Sequence, residues 1–134
     1  MAMVSGEFDV KLTPQKPDNA ETESAGVARI SLDKSFHGAL EATSKGEMLS
    51  MMTEVKGSGV YVAVERVTGA LNGLRGSFAL HHLGTMTRGV PQLSVVVVPD
   101  SGTGELVGLG GEMQIKISEG KHFYQFSFTL PESR

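Results

Sequence analysis

Apolar and polar residues alternate along most of the chain, and this period of two predicts β-strands. The clearest alternation covers the segments 113–118 and 122–130, in which every second residue is apolar. The dipeptide Glu119-Gly120 between them is typical of a tight turn, because glycine tolerates positive φ. The end of the chain is therefore predicted to form a β-hairpin.

Seven further segments read as strands, which gives roughly eight or nine in all. They are the segments 6–12, 27–36, 39–44, 47–54, 59–68, 77–83 and 93–98. No segment carries a convincing helical stripe; the best candidate, Met48 to Val55, is short and rich in methionine. The segment 13–25 has two prolines and three acidic residues, and it is predicted to be a mobile acidic loop between two strands. A lid over a cavity is the alternative for that loop.

An internal repeat accounts for many of the glycines. Ten of the 17 glycines lie between Gly69 and Gly111, and the segment 68–78 aligns with the segment 103–113. Both copies are predicted to run from a strand end through a glycine-rich turn into a new strand, as in a bent antiparallel sheet. A phosphate-binding loop would have to open a helix, whereas Gly111 leads into an alternating strand.

Repeated hairpins with one apolar face favour an all-β fold, an eight-stranded antiparallel closed barrel, because closure removes exposed strand edges. A β-sandwich is the alternative. The 134 residues are expected to form a single domain. Eight strands leave an interior that is either filled by side chains or just wide enough for one small ligand.

Composition excludes several classes of function. The chain has no cysteine, so it has neither disulfides nor a cysteine nucleophile. A net charge of -3, spread along the chain, argues against binding to nucleic acid. No apolar run is long enough to cross a membrane, and no signal peptide is apparent, so a cytoplasmic location is expected. No cofactor is expected.

Candidate chemistry falls on two neighbouring strands. Alternation places Glu65 and His82 on the inward faces of the strands 59–68 and 77–83, opposite or diagonal to one another. Such a pair could act as a general acid or base, or hold a polar head group, whereas a satisfied buried ion pair is the structural interpretation. The neighbouring His81 has the opposite phase, so no metal site is predicted.

Alternation places Tyr61 and Phe78 on the inward faces as well. Glu47 joins Glu65 in the interior if its strand, which follows a predicted turn at Lys45-Gly46, has the right phase. The complete predicted ligand-binding set is Tyr61, Glu65, Phe78, His82, Glu47, Met51 and Met113. Val62, Val64, Ala79 and Leu83 take the outward phase and are unusually apolar for a solvated wall. They are expected to be covered in a homo-oligomer or by the acidic loop.

Two segments, 65–89 and 97–113, resemble a family of small bacterial proteins known as a domain of unknown function. The fold of that family is similar to the allene oxide cyclase and dirigent barrels of plants. The link to the cyclase rests on the glycine-rich segment from Gly102 onward, and no catalytic residue of the cyclase can be matched to this chain. The resemblance implies an eight-stranded barrel with an apolar interior.

Three functions remain open for such a barrel. The first is binding of a small apolar or amphipathic ligand in the interior. The second is a cyclase-like or isomerase-like activity that uses Glu65 and His82. The third is a filled barrel with a structural or interaction role.

Overall fold

The computed structural model describes residues 1–131 and consists mainly of eight long β-strands. The strands are β1 (Ala2–Gln15), β2 (Ala28–Gly38), β3 (Leu40–Met52), β4 (Gly59–Leu71), β5 (Leu74–Thr87), β6 (Val90–Val97), β7 (Gly110–Ser118) and β8 (Lys121–Thr129). Each strand pairs antiparallel with the next, and β8 pairs with β1. The sheet therefore closes, which confirms the predicted eight-stranded barrel.

One predicted interruption does not occur. The segments 39–44 and 47–54 were predicted as two strands separated by a turn at Lys45-Gly46, but both belong to the continuous strand β3. A Cβ atom at Gly46 would lie only 2.1 Å from the carbonyl oxygen of Val64 on β4. Gly46 thus allows two strands to approach closely in the middle of the sheet, which is the other common use of a strand glycine.

The acidic segment is more regular than expected. β1 runs on to Gln15, and a short helix, α1 (Ala20–Ser24), follows. The side chain of Asn19 caps this helix, since its Oδ1 accepts a hydrogen bond from the Thr22 backbone N–H at 2.8 Å. The pattern of apolar residues did not indicate this helix, because the cap and not an apolar stripe defines so short a helix. The mobility of the acidic segment 13–25 stays a prediction.

The two copies of the repeat adopt different structures. The first copy forms the β4–β5 hairpin, whose two loop residues Asn72 and Gly73 both have positive φ, as such hairpins require. The second copy forms a 3₁₀ helix, Gly104–Leu106, that packs against β5. The Thr103 N–H donates to the Ser77 carbonyl at 2.8 Å, so the second copy still joins two antiparallel strands, but through a longer connection that is bonded to β5.

The second copy closes one end of the barrel. β6 and β7 share only two paired positions, so the chain between them is free to cross the barrel end. Leu106 and Leu109 are buried there, above a core that also contains Phe78 and Phe126. These two rings stack with centroids 5.7 Å apart. We call this end, filled by aromatic and leucine side chains, the packed half.

Within residues 1–131, no helix has the length and apolar character that crossing a membrane would require.

Candidate functional site

The opposite end of the barrel contains a cavity of about 480 Å³. Several residues at its rim are strongly exposed, among them Leu12, Met52 and Ile117, so the cavity opens to solvent. We call this end the open half. Its walls are mainly apolar and come from Phe8, Val10, Leu12, Leu32, Met48, Met52, Val60, Met86, Leu93, Ile115 and Ile117.

Small inward-facing residues leave room for the cavity. On β5 the inward position after His82 is Gly84, and on β3 the corresponding wall residue is Ser50. A Cβ atom at Gly84 would lie 2.2 Å from the ring of Tyr61, so the glycine makes room for that ring. The ring of Tyr61 then forms part of the cavity wall.

Four polar residues are buried beneath the cavity, and we call them the polar cluster: Lys34, Ser44, Glu65 and His82. The Lys34 ammonium donates to Glu65 Oε2 at 2.8 Å, and His82 Nε2 lies 2.5 Å from the same oxygen. The Ser44 hydroxyl donates to Glu65 Oε1 at 2.7 Å. Both carboxylate oxygens are therefore bound, and Glu65 is the centre of the cluster.

The sequence predicted the centre of this cluster but missed two of its members. The pairing places His82 opposite Ala63 and Leu80 opposite Glu65, so Glu65 and His82 are diagonal neighbours, and the predicted inward pair is confirmed. Lys34 and Ser44 were missed. The available signal was the phase of β2, in which Lys34 stands midway between two inward apolar residues, Leu32 and Phe36.

Electrostatics keep Glu65 ionised. Burial alone raises the pKa of its carboxyl group, but the hydrogen bond from His82 and the charge of Lys34 outweigh burial and lower the pKa to about 2. Burial raises the pKa of Tyr61, and the nearby Glu65 charge adds to this effect. At neutral pH the cluster thus contains a carboxylate, and Tyr61 keeps its phenolic proton.

Two further contacts stabilise Lys34. Its ammonium lies 5.1 Å from the ring centroid of Phe8 and 5.8 Å from that of Phe36, within the range of cation–π attraction. Among the described residues, Glu65 is the only hydrogen-bond acceptor for Lys34. Two of the three ammonium protons therefore have no oxygen or nitrogen acceptor among residues 1–131.

Residues 4–128 match the family model described as "Protein of unknown function (DUF3224)". The chain belongs to the DUF3224 family. A crystal structure of a DUF3224 protein of unknown function from Shewanella oneidensis MR-1 is 54% identical, covers 98% of both chains and superposes with a TM-score of 0.90. No curated protein matches the chain, and the resemblance to allene oxide cyclase is not shown by these comparisons.

The structure places the predicted interior residues of this DUF3224 protein in three locations. Tyr61 and His82 line the cavity, with Glu65 directly behind His82. Phe78 and Met113 are buried in the packed half and do not reach the cavity, so their predicted position in a binding site is wrong. Their strands have the right phase, but they lie too near the closed end.

Two other predicted residues face outward. Glu47 pairs with Val64 and Met51 with Val60, which is the outward phase of β3, so the prediction that they line the interior is wrong. Glu47 binds Arg29 instead, with 2.6 Å between Oε1 and Nε. The assumed turn at Lys45-Gly46 had obscured the phase of β3. With that strand continuous, Met48 and Met52 line the cavity.

The polar cluster contains one imidazole and one carboxylate beside Lys34 and Ser44. In residues 1–131, no three residues of the histidine, cysteine, aspartate or glutamate types lie close enough together to hold a metal ion. The ammonium of Lys34 also binds the one carboxylate that faces His82. What the cluster offers chemically is hydrogen-bond donors and an imidazole beneath an apolar cavity.

Proposed function

We propose that this DUF3224 barrel binds a small amphipathic molecule, with the apolar body in the open half and a polar head group on the polar cluster. The cavity of about 480 Å³ carries the proposal, because its walls are apolar and its polar groups converge at one end. Ligand pockets typically have volumes of about 300–1,000 Å³ and combine apolar walls with a few placed polar groups.

The donors at the floor of the cavity support a head group that accepts hydrogen bonds. Lys34 and His82 have side chains that are only 5% and 3% exposed, and both contribute to the cavity surface. The Lys34 ammonium donates to Glu65 and has three N–H groups, so the other two can donate to an acceptor atom in the cavity. The Tyr61 hydroxyl lies at the same place, 3.5 Å from Nδ1 of His82.

The charges at the floor favour a neutral head group. Lys34 and Glu65 form an ion pair, so their charges cancel. An anionic head group would then lie near the Glu65 carboxylate without a second cation to offset it. A carbonyl oxygen needs only donors, and it matches the floor without any change of charge.

Filling the cavity from the inside tests this function. Ser50 lines the cavity, so the variant Ser50→Phe is expected to occupy part of it and to abolish binding of the neutral apolar dye Nile red, measured by fluorescence titration. The matched control is Leu49→Phe, which adds an aromatic ring at the adjacent, outward-facing and exposed position of the same strand. The control is expected to bind the dye as the unaltered protein does.

The titration has two outcomes that contradict the proposal. One is that the unaltered protein does not bind Nile red with saturation. The other is that Ser50→Phe, folded by circular dichroism, binds the dye as tightly as Leu49→Phe. Either result favours a barrel that acts only through its surface.

We also propose that a second copy of the chain covers the outer face of the β3–β5 sheet. Leu49, Val62 and Leu83 are cross-strand neighbours on this face, and each is between 45% and 49% exposed. A contiguous apolar row of this kind is typical of interaction surfaces. Sedimentation equilibrium is expected to show a homo-oligomer that Val62→Asp dissociates, whereas a strict monomer at high micromolar concentration contradicts the proposal.

A further inference from the structure

The polar cluster aligns three groups in the order carboxylate, imidazole and phenol. Glu65 Oε2 lies 2.5 Å from Nε2 of His82, and the hydroxyl of Tyr61 lies 3.5 Å from Nδ1 of the same ring. An ionised carboxylate can only accept hydrogen bonds, so Nε2 of His82 carries a proton. In the neutral form of the ring the lone pair is then on Nδ1.

Nδ1 of His82, which accepts the hydrogen bond from Tyr61, is on the ligand side of the cluster. His82 and Tyr61 line the cavity, whereas Glu65 is behind the imidazole and does not. A carboxylate that fixes one imidazole nitrogen, and leaves the other directed at a bound molecule, is the arrangement that orients a histidine as a general base. Glu65 is in this respect a positioning residue, and it offsets the positive charge when His82 takes up a proton.

A donor for developing negative charge lies beside the base. Lys34 binds the same carboxylate oxygen as His82, so the ammonium and the imidazole are close neighbours. The N–H groups of Lys34 that have no acceptor among the described residues can bind a carbonyl oxygen. A fixed donor at an oxygen that becomes negative in the transition state typically contributes about 10²–10³ in rate.

We propose that the cavity catalyses proton transfer at a carbon atom next to a carbonyl group, in a small amphipathic ketone. Nδ1 of His82 takes the proton from that carbon, and the C–H bonding pair becomes the C=C bond of an enolate. The π pair of the carbonyl moves onto its oxygen, which Lys34 binds. As Nδ1 takes up the proton it no longer accepts from Tyr61, so the Tyr61 hydroxyl is released to donate to the same oxygen. Return of the proton from His82 to carbon completes an isomerisation or an exchange, so no oxidant, reductant or second substrate is needed.

This inference rests on the proposed ligand-binding function, and one experiment separates the two. The probe is methyl hexyl ketone in heavy water. Saturation-transfer NMR measures whether the ketone binds, and proton NMR follows the loss of its α-proton signals by exchange with deuterium. We expect the protein to bind the ketone and to exchange it faster than free imidazole at the same concentration does.

The variants identify the base. His82→Gln is expected to lower the exchange rate by about 100-fold or more while the ketone still binds, since general-base catalysis contributes about 10²–10⁴. The matched control is His81→Gln, which changes the neighbouring histidine on the exposed outer face and is expected to exchange as the unaltered protein does. Ser50→Phe keeps the polar cluster but fills the cavity, so it is expected to lose both binding and exchange.

Each contrary result has its own meaning. Binding without exchange above free imidazole overturns the catalytic inference and leaves ligand binding intact. Equal rates for His82→Gln and His81→Gln overturn the role of His82. Absence of ketone binding overturns the substrate class, and if Nile red binding is absent as well, the proposed function itself fails. If His82→Gln does not fold, exchange that persists in folded Ser50→Phe overturns the inference.

Discussion

The packed half and the open half of the barrel use the same strands, but the inward side chains differ in volume. On β5 the inward residues of the packed half are Phe78 and Leu80, and those of the open half are His82 and Gly84. Leu106 of the 3₁₀ helix is buried at the packed end and fills it further. The interior of an eight-stranded barrel can be filled by side chains or can hold a small cavity. Here the side-chain volume at each inward position decides which half is packed and which half contains the cavity.

The polar cluster lies where the two halves meet, and each half contributes to its properties. The packed half contributes the aromatic ring of Phe36, which lies beside Lys34. The open half gives His82 and Lys34 access to a cavity. The same charges in the packed half would be inaccessible, and at the rim water would screen them.

The first prediction compares truncation in the two halves. Phe126→Ala removes a fully buried ring that stacks on Phe78, and it is expected to lower the free energy of unfolding by about 3–5 kcal/mol. Ile117→Ala, a change at the exposed rim of the cavity, is expected to alter it by less than about 0.5 kcal/mol. Urea unfolding measures both variants. Similar losses would mean that the open half is packed as tightly as the other.

The second prediction concerns acid. The Glu65 carboxyl has a pKa of about 2 in the folded protein and an ordinary value of 4.5, so the unfolded chain takes up its proton first as the pH falls. The stabilising contribution of Glu65 is therefore complete above pH 4.5 and is lost between about pH 4.5 and 2, with a size on the order of 3 kcal/mol. Urea unfolding at several pH values in that window measures it.

Variants separate this contribution from those of other carboxyl groups. Glu65→Gln is expected to be less stable at neutral pH, because Lys34 loses its ion-pair partner, and to show a smaller loss on acidification. Phe126→Ala leaves the polar cluster in place and keeps the full acid dependence. If Glu65→Gln has the same acid dependence as the unaltered protein, Glu65 does not have a lowered pKa in the fold.

Alternation along the chain was sufficient to predict the closed barrel, because each inward face is apolar over most strands. It could not resolve the end of the barrel. The repeat gave the segments 68–78 and 103–113 the same spacing of glycine and leucine. Glycine permits both a hairpin turn and a crossing 3₁₀ helix, and the difference depends on the length of chain that joins β6 to β7.

The sequence predicted only the part of the site that lies on a single hairpin, β4–β5. Glu65 and His82 lie on strands joined by a two-residue loop, so local register fixes their separation. Lys34 is on β2, two strands away, and its contact with Glu65 depends on the curvature of the whole barrel. The extent of the cavity depends on side-chain volumes from many strands, which a pattern of apolar and polar positions does not contain.

The smallest change in stability is expected when a single methyl group is added at the boundary between the packed half and the open half. Gly84→Ala would place its Cβ 2.2 Å from the Tyr61 ring, so the ring must move into the cavity, at a cost of about 1–3 kcal/mol. The matched control is Gly110→Ala, where the nearest atom to a Cβ would be Thr129 Oγ1 at 3.7 Å and the stability is expected to stay the same or rise slightly. Urea unfolding measures stability, and Nile red titration reports the narrowed cavity. If both variants are equally stable and bind the dye equally well, Gly84 does not determine the position of the Tyr61 ring at the boundary between the two halves.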